Sequence, residues 1–170
     1  MNIVLTTGCI CDAFTADGIS LNDMSLEELK DIAFKILDTE YDHTALCIIL
    51  KYAVEQFGEE ETSTECKTCK TSYKDCLSCP HYKDMYSIRF GNIVFEQKDN
   101  VEIFTSNNKN VDEHTEAEIK DLIKNIVNEI DDSVDLIWWL RSVVQYMGKY
   151  KFCYHCDECG DNVVEYKLKA

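Results

Sequence analysis

Ser25-Leu26-Glu27-Glu28-Leu29-Lys30-Asp31-Ile32-Ala33-Phe34-Lys35-Ile36-Leu37 is the stretch from which the fold class can be read. Ser25 and Glu28 have the S-x-x-E spacing of a capping box, in which each side chain satisfies a backbone amide left free at a helix start. Leu26, Leu29, Ile32, Ala33, Ile36 and Leu37 then recur at helical spacing. A second helix is expected over about His43 to Phe57, with Leu46, Ile49, Leu50, Ala53, Val54 and Phe57 on one face and a stop at Gly58. The short link from Thr39 to Asp42 predicts that these two helices pack as an antiparallel pair. Thr115-Glu116-Ala117-Glu118 is another capping box, opening a third helix through Ile119, Leu122, Ile123, Ile126, Val127 and Ile130. Asp131-Asp132-Ser133 breaks it and caps a fourth, from Val134 to Met147, ended by Gly148.

Strand patterns surround these helices. Ile88, Phe90, Ile93, Val94 and Phe95, then Val101, Ile103 and Phe104, read as a β-hairpin or small meander. Met1 to Thr7 is a short apolar strand, and Lys149 to Tyr154 and Asn162 to Leu168 flank a cysteine-bearing turn. The expectation is an α+β chain: two helical hairpin-like pairs, a small antiparallel β-hairpin or meander, and zinc-stapled cysteine turns. Residues 1–170 fit one compact domain, with a zinc-stapled subregion at 60–85 and a C-terminal zinc-knuckle hairpin at 149–170. The cysteine clusters differ in spacing, which argues against an internal repeat.

Cys66-Lys-Thr-Cys69 and Cys76-Leu-Ser-Cys79 are two C-x2-C pairs close enough to close a tetrahedral site, in which four sulfurs converge on one ion at roughly 2.3 Å. Near the C-terminus, Cys153, Cys156 and Cys159 form a knuckle-type cluster followed by Gly160, with a fourth ligand to come from Cys9 or Cys11. His155, between two ligands, reads better as non-ligating. Zinc, one or two ions, is favoured over an iron–sulfur cluster or a disulfide framework. Met1 to Cys11 has no basic region and only a short apolar run, so no signal peptide is expected, and no stretch approaches a membrane span.

The formal charge is −15. Residues 1–65 carry fourteen Asp and Glu against three Lys, and residues 113–135 eight against two. Contacts with phosphate backbones come from Lys and Arg, so direct nucleic-acid binding is not expected. A basic protein partner is, by electrostatic steering. Glu27, Asp31, Glu118 and Asp121 lie off the apolar stripes and are the candidate contact residues. On the fourth helix Trp138 shares a stripe with Arg141, Ser142 and Gln145, whereas Trp139 aligns with Val143 and Tyr146; Trp139 reads as core and Trp138 as an exposed anchor. Cys47, between Leu46 and Ile48, reads as a small buried side chain. His43, His81, His114 and His155 are not paired with a nucleophile or carboxylate at a catalytic spacing, and there is no phosphate-binding loop. No enzyme signature is present.

Lysine outnumbers arginine 15 to 2, which suggests an AT-rich source. In size, acidity and its Cys66–Cys79 and Cys153–Cys159 clusters the chain resembles the phage-encoded anti-CRISPR proteins, several of which are acidic inhibitors of Cas9-type effectors. The resemblance implies a cytoplasmic protein of a bacterial host cell that obstructs guide or target engagement by a basic Cas9-type nuclease. It carries over no functional residue. A zinc-ribbon adaptor of a bacterial or phage transcription or replication complex would use the same staples for assembly.

Overall fold

A computed structural model describes residues 1–8, 12–60, 85–98 and 101–170. The chain runs β1 (Asn2–Thr7), β2 (Ala13–Ala16), β3 (Ile19–Ser20), α1 (Leu26–Leu37), α2 (His43–Phe57), β4 (Glu59–Glu60), β5 (Met85–Phe90), β6 (Ile93–Lys98), β7 (Val101–Ser106), β8 (Lys109–Asn110), α3 (Glu116–Glu129), α4 (Ser133–Met147), β9 (Lys149–His155) and β10 (Asn162–Lys169). Short 3-10 turns at Leu21–Asp23 and Val111–Glu113 precede α1 and α3. The α+β class is as expected, but the strands form two antiparallel five-stranded sheets, ordered β3-β2-β1-β10-β9 and β8-β7-β6-β5-β4. None of the helices among the described residues is long and apolar enough to cross a membrane.

Both capping boxes form. The Ser25 side chain accepts from the Glu28 N–H and the Glu28 carboxylate accepts from the Ser25 N–H, and Thr115 and Glu118 do the same. The apolar stripes are buried as their spacing requires: Leu29, Ile32, Ala33, Ile36 and Leu37 on α1, and Leu136, Trp139, Leu140, Val143 and Val144 on α4.

The expectation of no internal repeat is wrong. Asn2-Ile3-Val4-Leu5 recurs as Asn92-Ile93-Val94-Phe95, ninety positions on, and the element order β–β–β–3-10–α–α–β follows in both places. Leu29, Ile36, Leu46, Leu50 and Val54 match Ile119, Ile126, Leu136, Leu140 and Val144 at the same offset, and all ten are buried. The tight turns match too: Asp17-Gly18 and Asn107-Asn108 all have positive φ, as the two-residue type I′ hairpin demands. Similarity is carried by pattern more than by identity, and unequal cysteine loops conceal it.

The halves are interleaved. The first sheet joins β1, β2 and β3 to β9 and β10 of the second half, and the other joins β6, β7 and β8 to β4 and β5 of the first. Each half thus donates its last hairpin to the other, the arrangement of a domain-swapped dimer written in one chain. Reciprocal contacts follow the same two-fold logic. Lys51 pairs with Glu102 at 3.1 Å and Arg141 with Asp12 at 3.0 Å. Lys30 Nζ donates to the Asn128 carbonyl and Lys120 Nζ to that of Thr39. The Met1 amino group donates to the Ala170 carbonyl at 2.9 Å, so the two chain ends meet in the first sheet at the position that corresponds to the β5–β6 turn of the other sheet.

This exchange also overturns the expected helix pairing. α2 packs against α3 and α4, and α1 against α4 and α3; neither α1–α2 nor α3–α4 is a substantial contact. A short link limits where the next helix starts, but the largest apolar face on offer belongs to the other half. Gly58 and Gly148 end α2 and α4 for a reason other than a left-handed cap: both have φ near −76°. A Cβ on Gly58 would lie 2.4 Å from Ile88 Cγ2, and one on Gly148 2.4 Å from the Val144 carbonyl oxygen and 3.2 Å from Tyr166 Cβ. Glycine is needed because the chain leaves each helix close against the Val54 or Val144 carbonyl oxygen of its last turn and against the hairpin that follows.

Candidate metal centres and acidic faces

The C-terminal cysteine turn is built by β9 and β10. The Cys156 N–H donates to the Asp161 carbonyl at 2.8 Å and the Gly160 N–H to that of Cys156 at 2.9 Å, with Gly160 at φ 78°. This is the fold-back expected of a C-x2-C-G knuckle. Cys153 sits at an irregularity in the β9–β10 register, is exposed, and lies 3.9 Å from the Lys151 carbonyl oxygen. The three thiols of Cys153, Cys156 and Cys159 do not make a complete three-ligand cluster by themselves. His155 Nδ1 lies 3.0 Å from Asn162 Oδ1. Cys66, Cys69, Cys76 and Cys79, like Cys9 and Cys11, lie outside the described residues. In sequence Cys66 and Cys69 stand ninety positions before Cys156 and Cys159, so one C-x2-C belongs to each half. Gly8 abuts the start of β10 so closely that a Cβ would lie 2.2 Å from the Asn162 carbonyl oxygen, and its N–H donates to Asp12 Oδ1 at 3.1 Å.

A different group converges where the sequence reading placed no site. Ligand atoms of His43, Cys47 and Asp112 lie within 4.8 Å of one another and could hold a metal ion. His43 and Cys47 are one turn apart on α2, while Asp112 comes from the 3-10 turn of the other half. Cys47 Sγ is 3.7 Å from His43 Nδ1 and 3.8 Å from Asp112 Oδ1. His43 Nε2 is 2.9 Å from the His114 carbonyl oxygen. A carbonyl only accepts, so Nε2 carries the proton of the neutral ring and Nδ1 faces the sulfur with its lone pair. Burial, with the Asp112 carboxylate beside it, pushes the Cys47 thiol up to about 11, so without a cation it is a protonated thiol. Cys47 is half-buried, as a small core residue would be, but its neighbours are polar on one side. The i, i+4 spacing of His43 and Cys47 was visible in the sequence; the approach of Asp112 was not.

Glu27, Asp31, Glu118 and Asp121 are all exposed on α1 and α3. These helices run antiparallel, since Lys30, Lys120 and Lys124 of each reach the far end of the other. Those three lysines are thereby spent on helix-end carbonyls and on Asp38, while Lys35 and the carboxylates of Glu27, Asp31 and Asp121 are exposed. Glu118 differs: its carboxylate accepts from the Thr115 N–H at 2.7 Å, and that bond holds its pKa below the usual value. Its role in the cap makes it a poor site for a charge reversal. Trp139 is buried and Trp138 is 54% exposed, with the Arg141 guanidinium 5.5 Å from its ring centroid.

No protein-family model, curated protein or solved structure matches this chain.

Proposed function

We propose that the chain is a non-enzymatic, zinc-stapled binding protein that occupies a basic surface of a nucleic-acid-handling protein, a Cas9-type effector above all, and obstructs guide or target engagement. The observation that carries this reading is the antiparallel α1–α3 pair. Three of its four lysines, Lys30, Lys120 and Lys124, reach across to the far end of the other helix, while Glu27, Asp31 and Asp121 stay exposed. Opposite charge attracts a basic partner over roughly 8 Å at physiological salt and raises the association rate more than the final affinity. Zinc would be held by Cys66, Cys69, Cys76 and Cys79, and by Cys156 and Cys159 with Cys153 and Cys9 or Cys11. The position of Gly8 against Asn162, beside the knuckle strands, supports the second set.

The test is a pull-down and cleavage assay with purified Cas9-type effectors. Binding should weaken as salt rises and fall in the Glu27→Lys, Asp31→Lys, Asp121→Lys triple variant, whose circular dichroism should match the parent. Trp138→Ala probes the aromatic anchor separately. Absence of both binding and any change in guide loading or cleavage, with protein in excess, would refute the inhibitor reading.

A further inference from the structure

We propose that His43 Nδ1, Cys47 Sγ and Asp112 Oδ1 form a three-ligand site for a first-row transition-metal dication, zinc foremost, and that the ion clamps α2 of one half to the 3-10 turn of the other. This site is independent of the cysteine hairpins and does not rest on the partner proposed above.

Geometry is the first argument. With zinc bonds of about 2.3 Å to sulfur and 2.0–2.2 Å to nitrogen and oxygen, a tetrahedron places neighbouring ligand atoms about 3.3–3.6 Å apart. The observed separations from Cys47 Sγ are 3.7 and 3.8 Å. Both sulfur separations therefore need close by only a few tenths of an ångström, the His43 and Asp112 ligand atoms lie within 4.8 Å of each other, and water can take the fourth position on the exposed Asp112 side.

Orientation is the second. A metal-ligating histidine usually donates its other ring N–H to a carbonyl or carboxylate, which fixes the tautomer. The 2.9 Å contact of His43 Nε2 with the His114 carbonyl is that arrangement. Charge is the third. On binding, the S–H bond of Cys47 releases its proton to solvent; thiolate, carboxylate and neutral imidazole then sum with a dication to zero, which suits a half-buried place. The thiolate disfavours magnesium and calcium, which take oxygen ligands.

The two-fold relation supplies an internal control. The matching positions in the other half are Ser133, Ile137 and Asn22, with Met24 in place of His114. The same backbone there carries no metal-ligating trio, so the fold does not require one. It also shows which side chains the backbone tolerates in its place.

Native mass spectrometry after dialysis against zinc counts the ions on the full chain. Wild type should carry one more ion than Cys47→Ile and than the shape-conserving Asp112→Asn, with the remaining ions and the circular dichroism unchanged. If Cys47→Ile fails to fold, Asp112→Asn decides. An equal ion count in wild type and the folded variants would overturn the site, leaving a plain hydrogen-bonded cluster of thiol, imidazole and carboxylate.

Discussion

The described residues of 1–90 and of 91–170 follow the same order of elements, yet the two halves carry their chemistry in different places. Their cores match almost position for position, from Leu50 and Leu140 to the strands at Ile3 and Ile93, every one of these buried. Their polar positions have drifted. Residues 61–84 join β4 to β5 in the first half, whereas the short turn 156–161 joins β9 to β10 in the second. His43, Cys47 and Asp112 gather at one α2 contact, while Ser133, Ile137 and Asn22 occupy its counterpart on α4. The difference teaches that the interleaved backbone tolerates wide change at loops and helix starts, but not along the apolar faces that the two halves share.

The largest effect should come from separating the halves. Residues 1–90 alone leave β1 without β10 and β5 without β6. That fragment should give no folded monomer by sedimentation and circular dichroism; a stable monomer would show that the exchange is dispensable. Joining Ala170 to Met1 by a short linker and opening the chain between Gly91 and Asn92 should do little harm, because the ends already meet. The permutant should melt within about 4 °C of the parent, roughly a 1 kcal/mol change for a chain of this size.

Truncating matched core residues sharpens the comparison. Leu50→Ala and Leu140→Ala each empty a fully buried position and should cost about 2–5 kcal/mol in denaturant unfolding. One cooperative transition is expected in both variants, since the halves share their sheets. Two separated transitions would mean that the halves unfold independently.

The smallest effect concerns the paired caps. Ser25→Ala and Thr115→Ala should each cost about 1 kcal/mol. Glu28 and Glu118 both have pKa values held below 4.5, first by the backbone N–H of Ser25 or Thr115 and then by its hydroxyl. A lowered carboxylate pKa gives stability that is present above the ordinary value and lost as pH falls through the folded one. Glu28→Gln and Glu118→Gln should therefore flatten the loss of stability below pH 4.5 by similar amounts, read as thermal melts across that range. A large effect at one box and none at the other would break their equivalence.

Much of this was legible in the sequence. Local rules sufficed for the capping boxes, the four amphipathic stripes, the strands flanking the cysteine turn and the opposite fates of Trp138 and Trp139, because each depends on neighbours within one turn or one pleat. The acidity of α1 and α3 was plain from composition. The duplication was also present, in Asn2-Ile3-Val4 and Asn92-Ile93-Val94, but the cysteine spacings, the most conspicuous pattern, are the parts that differ.

Only the tertiary structure decided which half each hairpin joins, and therefore which helices touch. Strand pairing between Ile3 and Leu168, or between Ile93 and Phe90, rests on apolar faces that are nearly interchangeable, so pattern alone cannot choose between partners. The same holds for the candidate ion site: the chain fixed His43 and Cys47 one turn apart, but Asp112 reaches them because the exchange lays the second half's 3-10 turn against α2. Local chemistry set the elements, and long-range burial of shared apolar surface set their partners.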